Sequence, residues 1–550
     1  MVFASCVSRN TISLPEFSLE LRKWGGIFMA TSEANSVELF FDLFFVIGAA
    51  NLATFTAYHS ISDVNYLLAY IVFFSILWAT WFQITLHDVR FARDSIYERI
   101  CKTIQLITFF GIALVSSSFN LTDDKTNNQN FEVLCYILII SRGQLAVQHI
   151  VVLSSLRRAR YSKLYLPLGF MIATYCISAG IFAGIIRFYR PVVKAATTLY
   201  MVWCGVLIAE AVVVITISCS WRMLSFKKTH LMERISLLTI IVIGEGAIGV
   251  SRSLGAIVRH EGFDLEGCFF IMCVVVILIL IWALYFDNFP HGNYGTIRQQ
   301  IWSLLHFPFQ LAILGVVEGS QQIAMARYVL KRVSKSSANL HTICQQNLDS
   351  VSLRDALTEM VDKYSFKAII DTTGICSPQN ATIYFASGTW PEDLQYIDNA
   401  IRNGVYSGLG VKMPIKRLDV FIGHIDMANK SWRLTYIYFW SCFYVLIILL
   451  VAFLFMIRRH KADLFDFVSV MIRCLVLGAS VASLAITANK DKLYSLLNSV
   501  AILPSAVAFL FIIMCCDKLA SVWCNWRLRA SSQPYAIEVW DESPQGHVAI

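Results

Sequence analysis

The residues of this chain best suited to chemistry are charged side chains placed inside long apolar runs. The run that begins VELFFDLFFVIG holds Glu38 and Asp42, which are four residues apart and therefore share one face of a helix. Two carboxylates this close repel when both are ionised, so we expect a proton or a cation to neutralise them. The alternative is an interfacial Glu38 and an Asp42 that caps a helix or pairs with a basic neighbour. Glu245 lies deep in another apolar run between Gly244 and Gly246, which would let a helix or a ligand approach closely. For Glu245, a hydrogen-bonded acid kept protonated in the core is the alternative.

Arg142 is the basic residue that most needs explanation, because it falls in the middle of an apolar run, with His149 seven residues later on the same face. A guanidinium group in the membrane requires a carboxylate partner on another helix. The acids available for this role are Asp42, Glu210 and Glu245. A structural ion pair and a contact to a substrate both remain open for Arg142.

Two histidines and a further acid complete the set of candidate residues. His230 and Glu233 are three residues apart and share a helix face, but their order reverses the Glu-x-x-His motif of helical di-metal sites. We therefore predict neither a metal site nor a cofactor. His306 precedes Pro308, which removes a helix hydrogen bond and exposes a carbonyl oxygen; a simply packed histidine is the alternative. Glu318 lies further along the same run.

The elements that position these residues are membrane spans. Hydrophobic residues make up 57% of the 550 residues and charged residues only 15%, against about 25% in soluble domains, which excludes an ordinary soluble enzyme. A helix needs about 20 apolar residues to cross the hydrocarbon layer. We therefore predict an all-α polytopic transmembrane helical bundle of about 12 spans, at residues 37–58, 64–86, 100–119, 131–153, 165–186, 195–220, 235–251, 267–286, 300–322, 433–457, 467–487 and 494–516.

The distribution of lysine and arginine predicts the orientation of these spans. Basic residues concentrate in the loops that are cytoplasmic when the N-terminus is inside, which makes residues 1–36 and 517–550 cytoplasmic tails. The net charge of +8 then reflects this bias and not a nucleic-acid site. We expect an integral protein of the plasma membrane or an endomembrane, with the lipid bilayer as its surroundings.

Depth in the membrane orders the candidate residues under this topology. They form a ladder in which acids outnumber bases, which suits a pathway for a proton or a small cation. A shared site would require Asp42, Arg142, Glu245 and His306 to converge on one hydrated cavity. The inner third holds Glu38, Asp42, His149, His230, Glu233 and His306, the centre holds Arg142, Glu210 and Glu245, and Glu318 lies toward the outside.

One large hydrophilic insertion, residues 323–432, separates a nine-span domain at 37–322 from a three-span segment at 433–516. We interpret the insertion as a small module on the non-cytoplasmic side. It contains Cys344 and Cys376, which form either a disulfide or two free thiols.

Three glycosylation sequons fall on the non-cytoplasmic side of this topology, at Asn120, Asn380 and Asn429. Asn120 and Asn429 abut predicted spans, so Asn380 is the acceptor that we favour.

The motifs that carry the charged residues also resemble those of a known family. VELFFDLFFVIGAANLA, HLMERISLLTIIVIGEG, LYFD and LLHFPF, together with Arg142, resemble the low temperature requirement A (LtrA) family of integral membrane proteins over residues 35–322. The three additional spans and the large insertion look like the longer fungal members. The resemblance implies a membrane domain but no catalytic role for its signature positions, which are Glu38, Asp42, Arg142, His230, Glu233, Arg234, Glu245, Asp287 and His306.

Three functions are compatible with the sequence. The first is a transporter or channel-like protein in which Asp42 and Glu245 handle a proton or a small cation, while Arg142 pairs with one of them. The second is a membrane-embedded enzyme for a lipid or terpenoid-like substrate, with Glu245 or His306 as acid or base. The third is a non-catalytic sensor or scaffold that acts through the outer module. A homo-oligomer is compatible with all three.

Overall fold

The computed structural model describes most of the apolar part of the chain. The described residues are 38, 40–45, 64–91, 95–116, 127–188, 196–221, 224, 229–261, 265–287, 296–346, 351–352, 355–356, 359, 423–457, 464–497 and 499–530.

Helices account for nearly all of the described residues, and these residues include no strand. Residues 38 and 40–45 are also helical, and we call them the N-terminal helical segment. The other helices are α1 (Val64–Phe91), α2 (Ile96–Ser116), α3 (Asn127–Arg158), α4 (Tyr165–Phe188), α5 (Ala196–Ser220), α6 (Leu231–Glu261), α7 (Leu265–Asp287), α8 (Thr296–Gln345), α9 (Gly423–Ile457), α10 (Leu464–Ala485), α11 (Lys490–Leu497) and α12 (Ile502–Ala530).

Ten helices within the described residues, all but α2 and α11, are long and apolar enough to cross a membrane. Each corresponds to one of the predicted spans, which confirms an all-α membrane bundle. Residues 100–116 of the span predicted at 100–119 belong to α2, although α2 is not among the ten. The predicted span at 37–58 falls mostly outside the described residues.

Helices α1 and α8 form the centre of the bundle. In α1, 72% of the most apolar stretch is buried, whereas the figure is 22% for the peripheral α4. Helix α1 packs against α2, α3, α5, α6 and α8, while α8 also contacts α7, α9 and α12. A helix that is apolar on all sides can occupy such a central position, so the polar residues that α1 does carry must find partners inside the protein.

Helix α8 is much longer than the span predicted at 300–322. It continues through Pro308 and ends at Gln345, which gives a length of about 75 Å at 1.5 Å per residue. The hydrocarbon layer is only about 30 Å thick. The first residues of the module predicted at 323–432 therefore belong to the same helix.

Glycines allow close contacts at two places in the centre of the bundle. A Cβ atom on Gly246 would lie 3.0 Å from side-chain atoms of Leu278 and Val317, so the prediction that a helix approaches there is confirmed. Gly244, by contrast, has no neighbouring atom within 4 Å of such a position. On α8, Gly319 faces the backbone and side chain of Phe439 on α9.

Candidate functional site

A group of buried charged residues lies where α1 ends and α2 and α6 begin. Two of its members come from the N-terminal helical segment, and one each comes from α1, α2 and α6. Four of the five residues are at most 8% exposed when the whole residue is counted, and the side chain of the fifth, Glu38, is 12% exposed. We call this group the Arg234 cluster, and it consists of Glu38, Asp42, Asp88, Lys102 and Arg234.

The guanidinium group of Arg234 contacts all three acids of the cluster. Its Nη2 donates to Asp42 Oδ1 at 2.8 Å, and its Nη1 donates to Asp88 Oδ2 at 3.4 Å. The same Nη1 lies 3.6 Å from Glu38 Oε1. Trp81 Nε1 also donates to Asp42 Oδ1 at 2.8 Å. One cation therefore holds the N-terminal helical segment, α1 and α6 together.

Besides Arg234, two basic side chains contact the acids of the cluster. Lys102 Nζ donates to Asp88 Oδ2 and lies 4.6 Å from the centroid of the Phe41 ring, a cation–π contact. His230 Nε2 lies 3.1 Å from Glu38 Oε2. Basic side chains thus reach the acids of the cluster from α2 and from the residue that precedes α6.

Within the described residues, the permanent charges of the Arg234 cluster do not cancel. Its three carboxylates face two permanent cations, Arg234 and Lys102, which is an excess of one negative charge among these five residues. Asp42 Oδ2 and Asp88 Oδ1 are buried and have no hydrogen-bond partner among the described residues. An uncompensated buried charge is costly, and these five residues are neutral when one of the carboxylates is protonated.

Arg142 has the carboxylate partner that its position requires. Its Nε and Nη2 donate to Glu210 Oε1 and Oε2, both at 2.9 Å, and both side chains are at most 1% exposed. Nη1 donates to Thr80 Oγ1 at 3.2 Å. The prediction of a partner is confirmed, but the expected pairing with Asp42 or Glu245 is wrong. The rotation of α3 turns Arg142 toward α5, which carries Glu210.

Glu245 is buried in α6 but is not part of the Arg234 cluster. It follows Arg234 by eleven residues, or about 16 Å along the helix. Glu245 and Glu318 both interact electrostatically with Tyr70 on α1. Glu318 is half-buried and accepts a hydrogen bond from Gln322 Nε2 at 3.1 Å. A second acidic region therefore lies further along the bundle.

His306 makes two hydrogen bonds within an aromatic group. Its Nδ1 lies 2.7 Å from the Trp302 carbonyl oxygen, and its Nε2 lies 2.8 Å from the Tyr285 hydroxyl. Since a carbonyl only accepts, Nδ1 carries the proton and Nε2 accepts from Tyr285. The ring stacks on Phe453 at 4.8 Å. Both ring nitrogens are satisfied, as in the alternative of a packed histidine.

His149 lies beside another buried histidine, His87 of α1. Their ring centroids are 4.9 Å apart, and Tyr175 lies 5.3 Å on the other side of His149. His149 Nδ1 contacts the Leu145 carbonyl oxygen at 2.8 Å. His87 in turn lies beside Asp88, with 3.8 Å between Nδ1 and Oδ1.

The predicted His230 and Glu233 pair does not face a common site. His230 contacts Glu38, whereas Glu233 is exposed in the first turn of α6, where an acidic residue favours the helix dipole. Among the described residues, no group of three or more histidine, cysteine, aspartate or glutamate side chains is placed to hold a metal ion.

Asp42, Arg142, Glu245 and His306 do not meet at one site, which is the condition that a shared cavity would require. Asp42 contacts Arg234, while Arg142 contacts Glu210 and His306 contacts Tyr285. These contacts are separate because each residue faces a different neighbouring helix. The predicted pair of Glu38 and Asp42 does come together with His230 and Arg234. Asp88 and Lys102, which the sequence analysis did not single out, complete the group.

The missed residues lie just past predicted span ends or on unexpected faces. His87 and Asp88 were placed in a loop because the span was expected to end at 86, whereas α1 continues to Phe91. Arg473 in α10 was also missed; it donates to both carboxylate oxygens of Asp517 at 2.7 and 3.0 Å. The position of Arg473 within an apolar run could have indicated that it needs a carboxylate partner.

The modification sites stay predictions. Asn120, Asn380 and Cys376 lie outside the described residues, and the side chains of Cys344 and Asn429 do as well. The backbone of Asn429 belongs to the first turns of α9.

Comparison with known families gives one match. The model of the family described as Bacterial low temperature requirement A protein (LtrA) matches residues 33–343, more than half of the chain. The chain belongs to the LtrA family. The LtrA match contains the whole Arg234 cluster, the Arg142–Glu210 pair and both histidines of the His87 contact, whereas Arg473 and Asp517 lie outside it. No curated protein matches the chain, and no solved structure does either.

Proposed function

We propose that this LtrA-family membrane protein moves protons across the bilayer, alone or together with a second solute, and that the Arg234 cluster is its proton-binding site. The observation that carries this proposal is the charge balance of the cluster. Among the described residues, three carboxylates, two of them fully buried, share two permanent cations, so the uptake and release of one proton would change the cluster between neutral and negative. A site that moves a proton must be able to exist in both a protonated and a deprotonated form.

The surroundings favour a proton over a metal cation as the bound species. The guanidinium group of Arg234 lies between the acids with the Trp81 ring on one side, and the Phe41 ring lies against Lys102. A metal cation would have to displace Arg234 to gain several oxygen ligands. A proton requires only one carboxylate oxygen, and Asp42 Oδ2 is buried without a hydrogen-bond partner among the described residues.

The Arg142–Glu210 pair has a different role in this proposal. One cation and one anion in bidentate contact are neutral without any ligand, and both are fully buried. We infer that this pair fixes α3 against α5 and stays ionised while the Arg234 cluster changes protonation.

The test is proton flux into proteoliposomes that contain a trapped pH-sensitive dye. We expect Asp42→Asn to lower the flux roughly a hundredfold, because the amide keeps the shape of the side chain but cannot accept the proton. Glu132→Gln is the matched control, since Glu132 is an exposed carboxylate on α3 outside the cluster. Its flux should stay within about twofold of the parent protein.

Equal flux for Asp42→Asn and the parent protein would sink the assignment of the cluster. Absence of flux in the parent protein, under either sign of membrane potential and with intact folding, would count against transport altogether. Turnover of a hydrophobic substrate by the same preparation would then favour the enzyme alternative.

A further inference from the structure

The rings of His87 and His149 are in contact, and three of their nitrogens lack a hydrogen-bond partner among the described residues. Both residues are almost completely buried, at 1% and 0% exposure. Three of their four ring nitrogens, both of His87 and Nε2 of His149, have no hydrogen-bond partner among the described residues. Buried polar atoms are normally paired, so an arrangement with three open ones at one contact indicates a site and not packing alone.

The remaining nitrogen, Nδ1 of His149, shows where the ring of His149 carries its proton. Its Nδ1 lies 2.8 Å from the Leu145 carbonyl oxygen, which can only accept, so this nitrogen carries the proton. Nε2 of the neutral ring is then an acceptor. His306 provides the contrast, because Tyr285 satisfies its second nitrogen.

His87 is adjacent to the Arg234 cluster. Its Nδ1 lies 3.8 Å from Asp88 Oδ1, which is one of the two cluster oxygens without a hydrogen bond among the described residues. A small movement of either side chain, or one bridging water molecule, would join the two atoms. The histidine pair thus extends the cluster toward α3 and α4.

On the side of α2, the pair lies near a carboxylate that reaches the edge of the bundle. Glu98 is half-buried in the first turn of α2 and interacts electrostatically with His87 and Asp88. Burial raises the pKa of the Glu98 carboxyl above its ordinary value, which favours proton uptake there. The titratable and charged groups that interact with the two rings are Asp88, Arg90, Glu98 and Tyr175, and Lys102 lies beside Asp88.

We propose that His87, supported by His149, is a proton relay between Glu98 at the edge of the bundle and Asp88 in the Arg234 cluster. The inference rests on the proposed function and adds the route by which the proton reaches its site. One ring nitrogen of His87 accepts a proton from Glu98, directly or through water. The other nitrogen releases its proton to Asp88 Oδ1, and the ring stays neutral overall. His149 Nε2 accepts a hydrogen bond that holds the His87 ring and its water in place.

The experiment compares histidine variants in the proteoliposome flux assay. We expect His87→Gln to lower the flux about a hundredfold, because glutamine can hydrogen-bond but cannot pass a proton on. His306→Gln is the matched control, as it removes a buried histidine of α8 that is hydrogen-bonded on both nitrogens. Its flux should change by less than about twofold. Added imidazole should restore flux to His87→Ala, which a purely structural role would not explain.

The outcomes separate the relay from the proposed function. Parent-like flux in His87→Gln, with Asp42→Asn still inactive, overturns the relay and leaves the proton-binding site intact. If the parent protein carries no flux, the proposed function fails and infrared difference spectra between two pH values decide on the relay. Loss of an imidazole band in His87→Gln, but not in His306→Gln, supports proton exchange at the pair. Unchanged spectra in both variants overturn it.

Discussion

At the scale of single residues, the buried charges of this protein fall into two kinds. The pairs Arg142–Glu210 and Arg473–Asp517 are neutral, bidentate and enclosed, which are the conditions under which an ion pair is stable in an apolar interior. Among the described residues, the Arg234 cluster has three carboxylates and only two permanent cations. The pairs therefore stabilise the fold, whereas the proposed proton exchange belongs to the cluster.

This division predicts how much stability the protein loses when one partner of a buried ion pair is removed. Glu210→Gln should lower the free energy of unfolding by about 3–5 kcal/mol, because it leaves the Arg142 guanidinium buried without a counter-charge. Denaturant unfolding in detergent measures the change. The control is Asp287→Asn, at the more exposed Asp287–Lys518 pair, which should cost less than about 1 kcal/mol. Removing both charges with Arg142→Met and Glu210→Leu should be milder than Glu210→Gln alone, and an additive loss would contradict this account.

The sequence predicted that Arg142 needs an acid but could not select the acid. Three carboxylates were at compatible depths, and the choice depends on the rotation of each helix, which no local pattern specifies. Asp88 was missed for another reason. Its helix continues past the end of the apolar run, since Lys102 and Arg234 make a buried carboxylate tolerable there. Partner charges from distant parts of the chain therefore decide where a span ends.

At the scale of helices, the contact between α8 and α9 depends on glycine. Gly315 and Gly319 are four residues apart on α8 and both face α9, where Cys442 and Phe439 lie against them. Small residues at this spacing let helix backbones approach in a membrane. The spacing alone does not identify such a contact. Gly180 and Gly184 of α4 have the same spacing, but no atom of another element lies within 4 Å of a Cβ added to either glycine.

Gly319→Ala should therefore destabilise the bundle. The new Cβ would lie 2.9 Å from Phe439 Cβ and 3.2 Å from its Cα, so α8 and α9 must separate. We expect a loss of about 1–3 kcal/mol in the free energy of unfolding. Gly244→Ala has open space around the added methyl group and should gain up to about 1 kcal/mol from helix propensity. Equal effects of the two substitutions would show that packing against α9 is not the cause.

At the scale of the whole molecule, the composition predicted the class of fold correctly. A charged fraction of 15% allows ten long apolar helices in the described residues and still supplies the buried ion pairs. In the predicted orientation, the Arg234 cluster lies at the cytoplasmic end and Glu318 lies toward the other side. The sidedness of the membrane is therefore the prediction on which any direction of proton movement depends.

Glycosylation of Asn380 tests this orientation. With the termini in the cytoplasm, the segment between α8 and α9 is non-cytoplasmic, and Asn380 should carry an N-linked glycan when the protein is made in a eukaryotic cell. Endoglycosidase treatment should increase the gel mobility of the parent protein but not that of Asn380→Gln. Asn120→Gln serves as the control and should still shift. A protein that never shifts, with protease-accessible tails outside the cell, would reverse the topology.

The length of α8 has a mechanical consequence. A single helix of about 75 Å passes through the centre of the bundle and continues to Gln345. Within the bundle it is held by α9 through Gly315 and Gly319 and by α6 through Gln310, whose Nε2 donates to Thr239 Oγ1 at 3.0 Å. The part of α8 beyond the bundle is therefore joined, through one continuous helix, to the contact with α6, the helix that carries Arg234. A force on the far end of α8 would reach the proposed proton-binding site through this contact.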